Sequence, residues 1–154
     1  MPQQNFNYEN RFQISFDSED YKDLAKNVVE ITTPDISIGT TIQPTTIRNI
    51  YIPGNSIEFG DMQLSFLLDE DYANYSMMFQ WLNKLRNFDS INLERDVIDI
   101  NVVLLNGKYN PFLSMDFKDC FPYVMSEIPL SYQVSNLEPL RFSVTFKING
   151  FIIR

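Results

Sequence analysis

Residues 140–149 read Leu140-Arg141-Phe142-Ser143-Val144-Thr145-Phe146-Lys147-Ile148-Asn149, and this alternation of apolar and polar side chains decides the local conformation. A period of two belongs to a strand with one face in a core and the other turned to water, a lumen or another subunit. Working outward, Met62-Gln63-Leu64-Ser65-Phe66-Leu67-Leu68 repeats the pattern and places Met62, Leu64, Phe66 and Leu68 on one face. In Val97 to Leu105, Ile98, Ile100, Val102 and Leu104 share a face, while Val103 and Leu105 predict partial burial of the other. Phe12, Ile14 and Phe16 alternate with Gln13 and Ser15 until the acidic stretch Asp17-Ser18-Glu19-Asp20 breaks the strand. Val28 to Thr32 then reads as its return strand in an open hairpin, stopped by Pro34. Phe112 to Phe117 and Phe121 to Met125 read as two further strands. Asn106-Gly107 predicts a tight turn with positive φ at both positions.

One segment carries helical spacing instead. Tyr75, Met78, Phe79, Leu82 and Leu85 form a stripe on a helix that begins in Asp69-Glu70-Asp71, where carboxylates cap free N–H groups, and runs to about Asn87. Lys84 and Arg86 lie in its last turn, favourable for the helix dipole. A second segment is β-favouring but too thin to bury both faces. Ile36 to Ile52, with Pro44 between two Thr/Ile-rich runs, reads as a long hairpin arm that needs a neighbour. Pro53-Gly54-Asn55 closes it with turn chemistry, the glycine permitting positive φ. Ile47, Ile50, Tyr51 and Ile52 are its candidate contact residues.

The elements together predict an α+β domain that is mainly β: an antiparallel β-sandwich or flattened barrel of roughly seven to nine strands with one helix. The domain is expected over 11–154, after a flexible polar segment at 1–10. With 154 residues and 44% hydrophobic content, the chain suffices for one core.

Composition removes most chemistry. The chain has no histidine and a single cysteine, Cys120, so Ser-His-Asp and Cys-His arrangements and histidine-ligated metals are excluded. Cys120 has no disulfide partner and reads as a small buried hydrophobe. The 5 glycines form no phosphate loop. Among carboxylates, Asp69, Glu70 and Asp71 read as a helix cap, and Asp116 and Asp119 as solvated groups flanking a loop. A net charge of -8 with scattered basic residues argues against gripping a phosphate backbone. It is compatible with a surface past which nucleic acid slides. Neither a signal peptide nor an apolar run of about 20 residues is evident, so a soluble product made in the cytoplasm is expected. No catalytic residue, cofactor or metal is predicted.

A longer pattern carries a resemblance. Pro53-Gly54, then Phe59-Gly60-Asp61-Met62 through Asp69-Glu70-Asp71-Tyr72-Ala73-Asn74-Tyr75, then Trp81-Leu82, resembles the central motif of the contractile-phage tail tube family and its baseplate tube-initiator relatives. In that family a strand of this type ends in an acidic pair, an Asn-aromatic pair opens the helix, and a Trp lies about two turns in. Asp99 to Leu105, Cys120-Phe121-Pro122, Ile128 to Tyr132 and Leu140 to Phe146 are similar to its closing strands. The resemblance implies structural roles for Pro53, Gly54, Asp69, Glu70, Asn74, Tyr75 and Trp81. It also implies a type VI secretion tube-like fold and a non-enzymatic subunit of sixfold rings stacked into a tube. Its partners would be further copies, sheath and baseplate proteins. DNA would pass the lumen without specific binding or any membrane contact, in a virion tail assembled in the host cytoplasm. A baseplate initiator, a terminator adaptor, a secretion-tube subunit and a monomeric binding module are the alternatives. The short length favours the main tube.

Overall fold

The computed structural model describes residues 11–86, 96–133 and 138–154. The expected N-terminal segment at 1–10 and the link after the helix lie outside the described residues. Within them the strands are β1 (Phe12–Asp17), β2 (Val28–Thr32), β3 (Ile36–Ser37), β4 (Thr40–Pro44), β5 (Asn49–Pro53), β6 (Glu58–Phe59), β7 (Met62–Leu67), β8 (Ile98–Leu105), β9 (Pro111–Met125), β10 (Arg141–Lys147) and β11 (Gly150–Ile153). The helix α1 spans Ala73–Arg86, and a 3-10 turn spans Lys22–Asn27. Seven strands form one sheet in the order β1-β8-β9-β10-β7-β2, with β11 added to β9; β3 pairs β6 and β4 pairs β5 separately. All pairings are antiparallel.

The long strand β9 gives the sheet its shape. Its first half carries β8 and β11, and its second half carries β10. At the bend, Asp119 takes the left-handed conformation (φ 53). Its N–H donates to Asp99 Oδ1 (3.1 Å), and its carbonyl accepts from Asn149 Nδ2 (2.9 Å). The partner strand breaks at the same level, between β10 and β11. Two sheet halves are thus joined by one kinked backbone, where sequence reading expects two separate strands.

Between them lies the core. The alternating faces of β7 and β10 deliver Met62, Leu64, Phe66, Phe142, Val144 and Phe146 to it, all buried, and β8 adds Ile98, Ile100 and Val102. Phe66 stacks on Phe142 at 5.3 Å between ring centroids. Burial of each such side chain is worth roughly 1.5–3 kcal/mol against the unfolded chain.

Several expectations are corrected. β1 and β2 do not form a hairpin: β1 pairs β8, with Phe12 opposite Leu104, and β2 pairs β7. The segment between them instead folds into the 3-10 turn and buries Tyr21 and Leu24, Tyr21 stacking on Trp81 at 4.0 Å. The buried helix face is Asn74, Met78 and Trp81, flanked by Tyr75, Met77 and Leu85. Phe79 lies off that stripe and is 58% exposed. Asn106-Gly107 is not a two-residue turn. Asn106 accepts through Oδ1 from the N–H groups of Lys108 (2.9 Å) and Asn110 (3.0 Å), and Tyr109 is the left-handed residue (φ 60). Asp116 is not solvated: it lies within β9, buried, bonded by Asn101 and paired with Arg154 Nη2 at 2.8 Å. Asp119 is exposed but sits at the bend of that same strand rather than beside a loop.

Candidate assembly interface

The segment between β2 and β7 leaves the body as a two-stranded ribbon. Every residue from 35 to 53 is exposed. Its root is β3 against β6, with Ile36 opposite Phe59. Farther out, β4 and β5 pair with Thr41 opposite Ile52, Ile42 opposite Tyr51 and Gln43 opposite Ile50. Thr45 and Arg48 close the tip: Thr45 N–H donates to Arg48 O (3.0 Å), and Arg48 N–H to Thr45 Oγ1 (3.0 Å). A lone two-stranded ribbon is marginal in water, and this one carries eight large exposed apolar side chains along 36–57.

The register sorts the candidate contact residues. Directly opposed residues share a face, so Ile50 and Ile52 lie on one side with Thr41 and Gln43, whereas Tyr51 lies on the other with Ile42. Tyr51 is 67% exposed, and Ile47, in the tip turn, 92%. The four are therefore distributed over both faces and the tip. Ile36, Ile38, Ile42 and Ile57 are also exposed; for the first three, their place in the Thr/Ile-rich run is the available signal, whereas Ile57 lies beyond it.

The ribbon's root is tightly built. A Cβ at Gly54 would meet Ile38 O at 2.1 Å, and one at Gly60 would meet Asp35 Oδ1 at 1.6 Å. Close approach, not positive φ, is the reason for glycine at 54; Gly39 takes the left-handed conformation instead (φ 68). Beyond Gly60, Asp61 receives a hydrogen bond from Tyr123 and pairs with Lys147 Nζ at 2.9 Å. Lys147 also lies 5.0 Å over the Tyr123 ring. Lys147 first, then Tyr123, holds the Asp61 carboxyl below its ordinary range; Asp61 in turn raises both partners.

The residues of the acidic and aromatic run each have a definite place. Asp69 Oδ1 accepts from Asn27 Nδ2 (2.7 Å), and Asp71 Oδ1 from the Ala73 N–H (3.2 Å), while Glu70 is exposed. Buried Asn74 accepts from the N–H groups of Asp69 (3.1 Å) and Tyr75 (2.9 Å) and donates to Leu67 O (2.6 Å), tying strand end to helix start. Tyr75 meets Phe142 edge-on at 5.4 Å. Trp81 donates through Nε1 to Asp96 O (2.7 Å). Pro53 pairs Thr40 on the ribbon. Asp96, fully buried, is paired with Lys84 Nζ at 3.1 Å.

Among the described residues the main sheet has two terminal strands. β1 and β2 terminate its order, and a groove lined by Arg11 to Ile14, Ala25, Val28 to Thr33, Val102, Leu104 and Met115 runs between them. Among the described residues no cluster of three or more Asp, Glu or Cys side chains could hold a metal. No described helix is long and apolar enough to cross a membrane. Burial pushes the Cys120 thiol up to about 12.

These features define a class: a structural β domain with an uncovered ribbon. The chain belongs to the phage tail tube protein family, whose model matches residues 2–154. In fold it is similar to a chain of the PVC sheath-tube complex, from an extracellular contractile injection system in the extended state. There the identity is 18% and the TM-score 0.66, over 94% of this chain and 88% of that one. The tube-terminating cap of the anti-feeding prophage is likewise 18% identical, with a TM-score of 0.70 over 100% and 94%. Hcp1 from Flavobacterium johnsoniae is 14% identical, with a TM-score of 0.52 over 93% and 94%. No curated protein matches the sequence. Membership of this family gives the chain a structural role in a tail tube.

Proposed function

We propose that this chain is a subunit of the tail tube itself, closing into rings that stack into a conduit for DNA, without a catalytic role. The observation that carries the reading is the ribbon, exposed over 36–53 with apolar side chains on both faces and joined to the body through a closely approached root. A surface of that kind is finished by another molecule. Heterologous contacts between identical chains close into rings or run on as open filaments, and sixfold rings are the closure that the family resemblance implies. Sheath and baseplate proteins would meet the outside and the end of the tube in a virion tail assembled in the host cytoplasm. Ile47, Ile50, Tyr51 and Ile52 are proposed as contacts between subunits. The net charge of -8 favours a lumen that DNA passes without adhering.

A second reading is favoured by one observation: the likeness to a tube-terminating cap is at least as good as that to a sheath-tube chain. An adaptor layer would use the same ribbon once instead of repeatedly. Electron microscopy and sedimentation of the purified chain test both. Stacked rings or tubes support the tube subunit, and a single ring that never extends supports the adaptor. A persistent monomer, even with sheath and baseplate proteins present, overturns both.

A further inference from the structure

Resting on the tube-subunit reading, we propose that the groove between β1 and β2 receives the ribbon of a second copy, with Arg48 at the ribbon's tip pairing with Glu30 on the groove's rim. Charge divides arm from body. Between Ile36 and Ile57 the only charged residue is Arg48, giving +1; the whole chain carries -8, so the remainder carries -9. Bodies with that excess repel one another, and the ribbon is the part of each chain that a neighbouring body attracts. Arg48 and Glu30 are both exposed, and neither has an ion-pair partner among the described residues.

Shape and chemistry agree with the charge. The groove is flanked by two strands that end the sheet among the described residues, so within them it offers unpaired backbone donors and acceptors as well as apolar lining from Ile14, Ile31 and Val102. The ribbon offers the matching pair of properties: strand backbone on its own edges and an apolar face of Ile42 and Tyr51. Strand addition at an open edge supplies main-chain hydrogen bonds while alternate side chains supply selectivity. Of the described surfaces, this groove combines open edges, apolar lining and an unpaired carboxylate.

A charge swap tests the pairing. In analytical ultracentrifugation of the full chain, Arg48→Glu and Glu30→Arg are each expected to raise the concentration needed for assembly about tenfold. The double variant is expected to recover assembly near the wild-type concentration. Both positions are exposed, so circular dichroism should be unchanged in all three. Wild-type assembly by both single variants, or a double variant no better than the singles, overturns this docking site while leaving the tube reading intact. A wild-type chain that never assembles overturns the tube reading itself.

Discussion

Trp81 does three things at once: it stacks on Tyr21, meets Phe146 edge-on at 5.8 Å, and donates its indole N–H to the Asp96 carbonyl. Trp81→Ala is therefore expected to cost about 3–5 kcal/mol, read by urea denaturation, because it leaves a cavity where the indole packed and removes a buried hydrogen bond. The stripe on α1 was legible only in part. Asn74 is polar and Trp81 stands out only through the motif, so apolar spacing alone points to Phe79, which faces water. At Asp61 the expected effect is one of pH. Its folded carboxyl is held below the ordinary value, so the contribution of its contacts is complete above that value and is lost as pH falls through the lowered one. Lys147 and Tyr123 are raised, so theirs is complete below their ordinary values and is lost as pH rises through the raised ones. Carboxyl NMR should find Asp61 titrating upward in Lys147→Met; an unchanged Asp61 would remove Lys147 as the main cause.

Among elements, the ribbon and β9 depart furthest from local reading. The alternation in β7, β8 and β10 was plain because each buries one face. The pairing of β1 was not, since Phe12 meets Leu104 across most of the chain and register between distant strands leaves no local mark. The bend of β9 was hidden for a similar reason: Asp119 reads as a loop residue, and its left-handed φ fits a loop as well as a kink. The ribbon's identity as a hairpin was visible in its Thr/Ile-rich runs, but its faces required the register. Gly54→Ala should loosen this element selectively, because the new methyl would collide with Ile38 O. Hydrogen exchange is expected to quicken at the β4 and β5 amides while β7 and β10 stay protected. Uniform loss of protection would mean that the ribbon and body unfold as one unit.

For the whole molecule, the core and the ribbon share few side chains. Replacing 42–51 by a short turn is expected to leave the melting temperature within about 2 °C of the parent, since only exposed residues are removed. The same deletion should abolish assembly in sedimentation. A large fall in melting temperature would show instead that the ribbon belongs to the folding core. Composition excluded histidine chemistry outright, yet the distribution of charge became meaningful only once the arm was separated from the body.

The kinked strand β9 has a mechanical corollary. Because a single run of peptide bonds threads both halves of the sheet, tension applied to one half travels to the other through covalent linkage. Drawing β9 out of its first half would require the rows to β8 and β11 to rupture together, whereas its second half is held by the single row to β10.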